Sequence, residues 1–279
     1  MCPHDLMTRE KGFMDVELFK TAINQVSVYS DSIRLHNMGE SLLHPHFDDL
    51  IRYTRNLGIR TILSTNATAL TESVSERVLK SQLDSLLISF DGASKETYEQ
   101  LRDGAKFDKV IKKIEGFLSL RKRMGVKRPK VTMSLINMPM TESEVDAFRH
   151  RWEGKVDLIR IKPPRNWDGS SVRINEIMNL TDTRSPGNPC YWLWSSMVIL
   201  WDGRVVPCCM DYDAKHVLGN IKEKSLEQIF NDEPMQALRQ LHVEGRVSES
   251  ALCRGCSAPT KVDGALMNLA GRLGKFIYD

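Results

Sequence analysis

Residues 33–40, Ile33-Arg34-Leu35-His36-Asn37-Met38-Gly39-Glu40, carry the reading that decides the fold. IRLHNM alternates apolar and polar side chains as a strand with one buried face does, then breaks at Gly39-Glu40. Four more runs behave the same way. Thr61 to Ser64 (TILS) ends in Thr65-Asn66, and Leu86 to Phe90 (LLISF) ends in Asp91-Gly92. Lys130 to Ile136 (KVTMSLI) ends in Asn137, and Leu158 to Lys162 (LIRIK) ends in Pro163-Pro164. Between them, apolar residues recur at three- and four-residue spacing over Phe47 to Leu57, Ser73 to Leu83, Phe107 to Met124 and Ser143 to Trp152, with an earlier helical segment over Val16 to Val26. Thr141 with Glu144 reads as a capping box before the last helix. Strands separated by helices predict βαβ units, hence an α/β fold with a parallel sheet. Ligands bind such sheets at the carboxyl ends of the strands, where Glu40, Asn66, Asp91 and Asn137 stand. Five strands predict an open sheet or an incomplete barrel.

Composition narrows the function classes. The 279 residues are 41% hydrophobic and 27% charged, a globular profile with ample material for a core. A net charge of +3 is too balanced for a nucleic-acid binder. The most apolar stretch, Trp192 to Trp201, is about half the length a membrane-spanning helix needs, and no secretory leader opens the chain. These features predict a cytoplasmic protein with no nucleic-acid or membrane partner. Arg121 to Lys130 holds six basic residues and reads as a solvated helix end.

The six cysteines are Cys2, Cys190, Cys208, Cys209, Cys253 and Cys256. Five crowd the last third, and Cys253-x-x-Cys256 has chelating spacing, so metal ligation fits them better than disulfides. Cys209 reads as a small buried hydrophobe, because consecutive side chains on a strand point to opposite faces. Four sulfur ligands suit structural zinc as well as iron–sulfur, and spacing alone does not separate the two.

The strand ends also carry a resemblance. Asn37-Met38-Gly39-Glu40-Ser41-Leu42-Leu43 resembles the glycine–glutamate motif of the radical S-adenosylmethionine (SAM) superfamily, and Ser64-Thr65-Asn66-Ala67 is similar to its Ser-Thr-Asn-Gly strand end. Ser89-Phe90-Asp91-Gly92, with Thr97-Tyr98 and Arg102, resembles a third motif. Cys2-Pro3, followed by the helix start at Met14-Asp15, resembles the last cysteine of that family's three-cysteine loop. Each motif is weak alone; four in order are specific together. The resemblance implies a partial (β/α)6 barrel lacking its first strand in this chain. It also implies a SAM site at Gly39, Glu40, Asn66, Ser89, Arg102 and Asn137, with Glu40 taking the SAM amino group and Arg102 and Ser89 its carboxylate. The radical cluster of that family takes three thiolates, of which this chain carries Cys2 alone. The chain therefore reads as an N-terminally truncated form, inactive in radical chemistry as written.

The C-terminal third adds a second resemblance. Twelve residues separate Cys190 from Gly203, four separate Gly203 from Cys208, and 44 lead on to Cys253. Trp201 to Cys208 (WDGRVVPC) reads as a hairpin with Asp-Gly at its turn, followed by Leu218-Gly219-Asn220-Ile221 and a helix over Ser225 to Asn231. This resembles SPASM extensions, in the shortened "twitch" form that holds one auxiliary 4Fe-4S cluster. Its ligands would be Cys190, Cys208, Cys253 and Cys256. The implied organisation is a barrel over residues 1–180 and a SPASM/twitch domain over 181–279. The implied activity is SAM cleavage and hydrogen abstraction from a polar small molecule, a sugar or an aminocyclitol. The auxiliary cluster would accept the electron, and flavodoxin or ferredoxin would supply reductant. Lys162 and Arg165, at the last strand end, are the candidates to face an anionic or polyhydroxylated substrate, and Asp211, just past Cys208, is the candidate to take the second proton in an alcohol oxidation. A peptide-modifying enzyme and a non-enzymatic zinc-stabilised binding protein are the alternative readings.

Overall fold

A computed structural model describes residues 2–169, 175–176 and 189–256. The chain forms two compact units, Ile33–Pro164 and Cys2–Ser32 with Arg165 onward. The boundary expected at residue 180 lies outside the described residues.

The first unit is built on a five-stranded parallel sheet in the order β1 (Ser32–Arg34), β2 (Arg60–Thr65), β3 (Ser85–Ser89), β4 (Lys130–Ile136) and β5 (Leu158–Lys162). The register aligns Ile88 with Met133 and Leu135 with Ile161. Helices α2 (Phe47–Asn56), α3 (Glu72–Lys80), α4 (Lys95–Leu101), α5 (Phe107–Arg123) and α6 (Val145–Trp152) alternate with the strands; α1 (Val16–Val26) belongs to the second unit. Alternation along the strands sends Leu63, Leu86, Ile88, Val131, Met133 and Leu135 into the helix-packed core, each at most 1% exposed. Ser64, Ser89 and Ser134 take the intervening positions and give the opposite face a polar character. Phe90, Tyr98, Phe107 and Trp152 lock three helices against that core, with Phe90 stacked on Tyr98 at 4.4 Å. This is the parallel α/β sheet expected from the alternation, in the partial-barrel form that the family resemblance implies.

Local details depart from the sequence reading where side chains replace backbone partners. The first strand stops at Arg34, because the His36 Nδ1 atom accepts the Ser64 N–H at 3.0 Å. The Thr141–Glu144 capping box does not form. Thr141 Oγ1 donates to the Ile136 carbonyl at 2.6 Å, and the Glu144 carboxylate instead takes Ser94 Oγ, Thr97 Oγ1 and the Ala93 N–H. That carboxylate caps the loop leading into α4, a helix capped by Ser94 that the motif-based reading left out.

In the second unit, β6 (Val198–Ile199), β7 (Arg204–Val206) and β8 (Gly219–Asn220) form a small antiparallel sheet. The hairpin appears where Asp202-Gly203 placed it. Gly203 sits at φ +93°, and a Cβ there would lie 2.7 Å from Asn220 Oδ1. Helices α7 (Trp192–Ser195), α8 (Leu226–Asn231) and α9 (Glu233–Val243) follow, α8 closed by a full Ser225–Gln228 capping box. The N-terminal segment completes this unit. Asp213 accepts the N–H groups of Thr8 and Arg9 and the Thr8 hydroxyl at 2.6–3.0 Å. Tyr29 donates to Glu227 and the Gln25 side chain accepts the Leu226 N–H. Among the described residues, no helix is long and apolar enough to cross a membrane.

Candidate functional site

In the first unit, the expected SAM residues stand at the carboxyl ends of the strands. Gly39 turns the chain after β1 at φ +105°, out of reach of other atoms. Glu40 caps the short helical turn Ser41–Leu43. Its Oε1 accepts the Leu42 N–H at 3.2 Å and its Oε2 the Asn66 N–H at 2.9 Å, which ties the loop after β1 to the end of β2. Burial pushes the Glu40 carboxyl above its ordinary value, against the pull of these N–H donors and Arg102. The Asn66 amide oxygen is engaged in an Asx turn with Thr68 N–H and Oγ1 at 2.8 and 2.5 Å. Ala67, standing where the related motif has glycine, takes φ +64° in a fully buried position.

Ser89 Oγ lies 3.5 Å from Ser64 Oγ, and the Ser89 carbonyl accepts from Arg102 at 3.4 Å. Arg102 is ion-paired with Asp91, which is 1% exposed and also accepts the Ile136 N–H at 3.0 Å. A buried carboxylate needs such partners, and Asp91 anchors the ends of β3 and β4 to the arginine. Asn137 is exposed and joins the set through its backbone, donating to the Lys162 carbonyl at 2.8 Å. Burial takes the Lys162 ammonium down to about 8; Arg160, Arg34 and Arg102 push the same way and Asp91 opposes. His36 is held near 3 by burial, with Arg34 and Lys162 adding, so it is a neutral acceptor at pH 7. Asp91 was marked in the sequence as a polar strand end without an assigned role, and nothing beyond strand alternation marked His36.

The second unit gathers the cysteines. Cys190, Cys208, Cys209, Cys253 and Cys256 line one small cavity, walled by Trp192, Leu193, Met210 and Leu252. The local folding is legible link by link. β7 ends at Val206, Pro207 donates no N–H to the ladder, and Cys208 and Cys209 fall in the bend and turn that follow. The strand-alternation argument for Cys209 therefore fails, and its side chain lines the same cavity as Cys208. Asp211, 2% exposed, fixes that turn from below: its carboxylate accepts the Lys215 and His216 N–H groups, each at 2.8 Å, while its own N–H donates to the Cys208 carbonyl. Burial raises the Asp211 carboxyl. The Cys190 N–H donates to His242 Nδ1 on α9 at 3.1 Å. The Cys253–Cys256 turn is braced by Asn166, whose side-chain amide donates to the Gly255 carbonyl at 2.8 Å, and by Gly169, where a Cβ would come within 2.2 Å of that carbonyl oxygen. Arg239 donates to the Leu193 and Phe230 carbonyls and lies 4.1 Å from the Phe230 ring. His242, Asn166 and Arg239 carried no sequence signal, since each acts through a backbone group distant in the chain.

Cys2 is exposed at the head of a short helical turn, and Arg165 opens the second unit. Cys2 is also the single cysteine ahead of Cys190. The cysteines of the C-terminal cavity fit a sulfur-ligated group. Burial pushes the Cys208 thiol far above its ordinary value, and the other four thiols add to the shift. Four sulfur ligands suit zinc and an iron–sulfur cluster alike, and the cysteines lining this cavity supply the donors that either would use.

Comparison with known proteins agrees with this geometry. The model of the radical SAM superfamily matches residues 3–151, and that of the SPASM iron-sulfur cluster-binding domain matches residues 190–257. An S-adenosyl-L-methionine-dependent 2-deoxy-scyllo-inosamine dehydrogenase from Niallia circulans is 24% identical over 264 residues, covering 92% of this chain and 86% of the relative. Among solved structures, BtrN in complex with AdoMet and 2-DOIA aligns with a TM-score of 0.62 at 22% identity, over 92% of this chain and 86% of that one. Streptococcus suis SuiB bound to precursor peptide SuiA aligns with a TM-score of 0.64 at 16% identity, over 92% and 66%.

Proposed function

The chain belongs to the radical SAM superfamily, and from that premise we propose that it is an oxidoreductase acting on a polar small molecule, a sugar or an aminocyclitol. Its C-terminal cavity would hold one auxiliary 4Fe-4S cluster. The observation that carries this reading is the convergence of five cysteines from three separate stretches of sequence on one cavity. Cys190, Cys208, Cys253 and Cys256 are the proposed ligands. When bound, such a cluster supplies a one-electron acceptor for a substrate radical.

The remaining roles fall to this chain's own side chains. Glu40, its carboxylate oriented by two backbone N–H donors, is proposed to receive the SAM ammonium, a charge-assisted pairing. Arg102, steadied by Asp91, and Ser89 are proposed to hold the SAM carboxylate. Gly39, Asn66 and Asn137 complete the rim of that site. Lys162, at the end of β5, is proposed to face a polyhydroxylated or anionic substrate as a cationic hydrogen-bond donor. Arg165 is proposed to contact a polar substituent, and Asp211 to keep the Cys208–Cys209 turn in place. The similarity to the 2-deoxy-scyllo-inosamine dehydrogenase favours a small hydroxylated substrate over a peptide. A flavodoxin or ferredoxin in the cytoplasm would deliver electrons.

The test is anaerobic reconstitution of the 279-residue chain, with iron, sulfide and zinc analysis. The expected result is about four irons and about four sulfides per chain, lost when Cys190 or Cys256 becomes Ala, with Cys2→Ala leaving the content unchanged. Zinc at about one per chain without iron would overturn the reading and point to a zinc-stabilised binding protein.

A further inference from the structure

The cavity in the second unit carries one sulfur more than a four-iron cluster has corners. Cys209 lines it together with Cys190, Cys208, Cys253 and Cys256. It occupies the turn after β7, where Pro207 has ended the ladder and no strand alternation forces neighbouring side chains apart. Cys208 and Cys209 are consecutive, so their Cα atoms stand about 3.8 Å apart, and the turn they share is hinged between Val206 and the Asp211 latch. Both sulfurs therefore belong to one turn and one cavity wall. Cys209 packs against Val198, Leu200 and Val206 as well as against Met210 and Cys256.

We propose that Cys209 is a fifth ligand position of this cavity, able to replace Cys208 on the same iron. In the exchange Cys209 gives up its thiol proton as it binds and Cys208 takes one up as it leaves, so charge is unchanged and no electron moves. The auxiliary site then has one exchangeable corner and three fixed ones. This inference rests on the reading that the cavity holds an iron–sulfur cluster.

Four proteins test it: the wild type, Cys208→Ala, Cys209→Val and the double variant Cys208→Ala/Cys209→Val, in which valine preserves the apolar packing at position 209. Each is reconstituted anaerobically and assayed for iron, acid-labile sulfide and the EPR spectrum of the reduced state. Both single variants should keep about four irons, Cys208→Ala with a displaced EPR signal, while the double variant loses more than half of its iron. Loss of iron from Cys208→Ala equal to that of the double variant overturns the proposal. A wild type that binds no iron overturns the cluster reading as well, which separates the two failures. A second measurement needs no variant. A brief pulse of iodoacetamide on the loaded wild type, followed by peptide mass mapping, should place one alkyl group per chain on the Cys208–Cys209 pair, distributed over both residues. Label confined to Cys209 would show Cys208 to be the sole ligand and refute the exchange.

Discussion

Replacing Lys162 by Met should stabilise the first unit below pH 8 and remove a pH dependence that the wild type shows above it. Lys162 ends β5 among Arg34, Arg160 and Arg102, with burial taking it from the ordinary 10.5 down to about 8 and Asp91 as the opposing charge. At about 1.4 kcal/mol per tenfold change, a shift of that size corresponds to on the order of 3 kcal/mol of penalty on the charged form. The side chain keeps some contact with solvent, and screening reduces the figure to about 2 kcal/mol. The sign follows from proton counting. Between about 8 and 10.5 the unfolded chain binds more protons at this site than the folded one, so wild-type stability rises with pH across that window. Below 8 both states are protonated and the full penalty is present. Methionine keeps the stem volume without the charge. Urea unfolding of the wild type and of Lys162→Met at pH 7 and pH 10 is the assay. The variant should be more stable by about 2 kcal/mol at pH 7, and the two should draw together at pH 10. Equal midpoints at pH 7, together with a flat wild-type profile, would refute the account of a desolvated, cation-crowded lysine.

Two other perturbations probe the frame around the sites. Asp213→Ala removes the acceptor of the Thr8 and Arg9 N–H groups and should cost about 1–2 kcal/mol, read as faster amide hydrogen exchange at residues 8–9; unchanged exchange there would show that the clasp does not hold the segment. Ala67→Gly relieves a left-handed alanine at φ +64° but gives up a buried methyl and loosens the unfolded chain. These effects nearly cancel, so thermal unfolding should shift by the equivalent of under about 1 kcal/mol, whereas a loss beyond about 2 kcal/mol would contradict the strained conformation.

The sequence by itself determined the alternating strands and helices, the polar strand ends, the Asp-Gly hairpin and the four spaced cysteines. Each of these is local: side-chain period, turn chemistry and ligand spacing are properties of a few neighbouring residues, and β4 and β5 came out at the boundaries their alternation implied. What a side chain does with a distant backbone group was decided by tertiary structure. Glu144 left its capping box because the 93–97 loop offered it four donors. His36 ended β1 early by taking the Ser64 N–H. Residues 8–29 joined the cysteine-bearing unit through Asp213, Glu227 and the Leu226 backbone. Cys209 turned toward the other cysteines because the strand stops two residues before Cys208. Where a strand ends is a competition between ladder bonds and long-range partners, and only the folded chain brings those partners within reach.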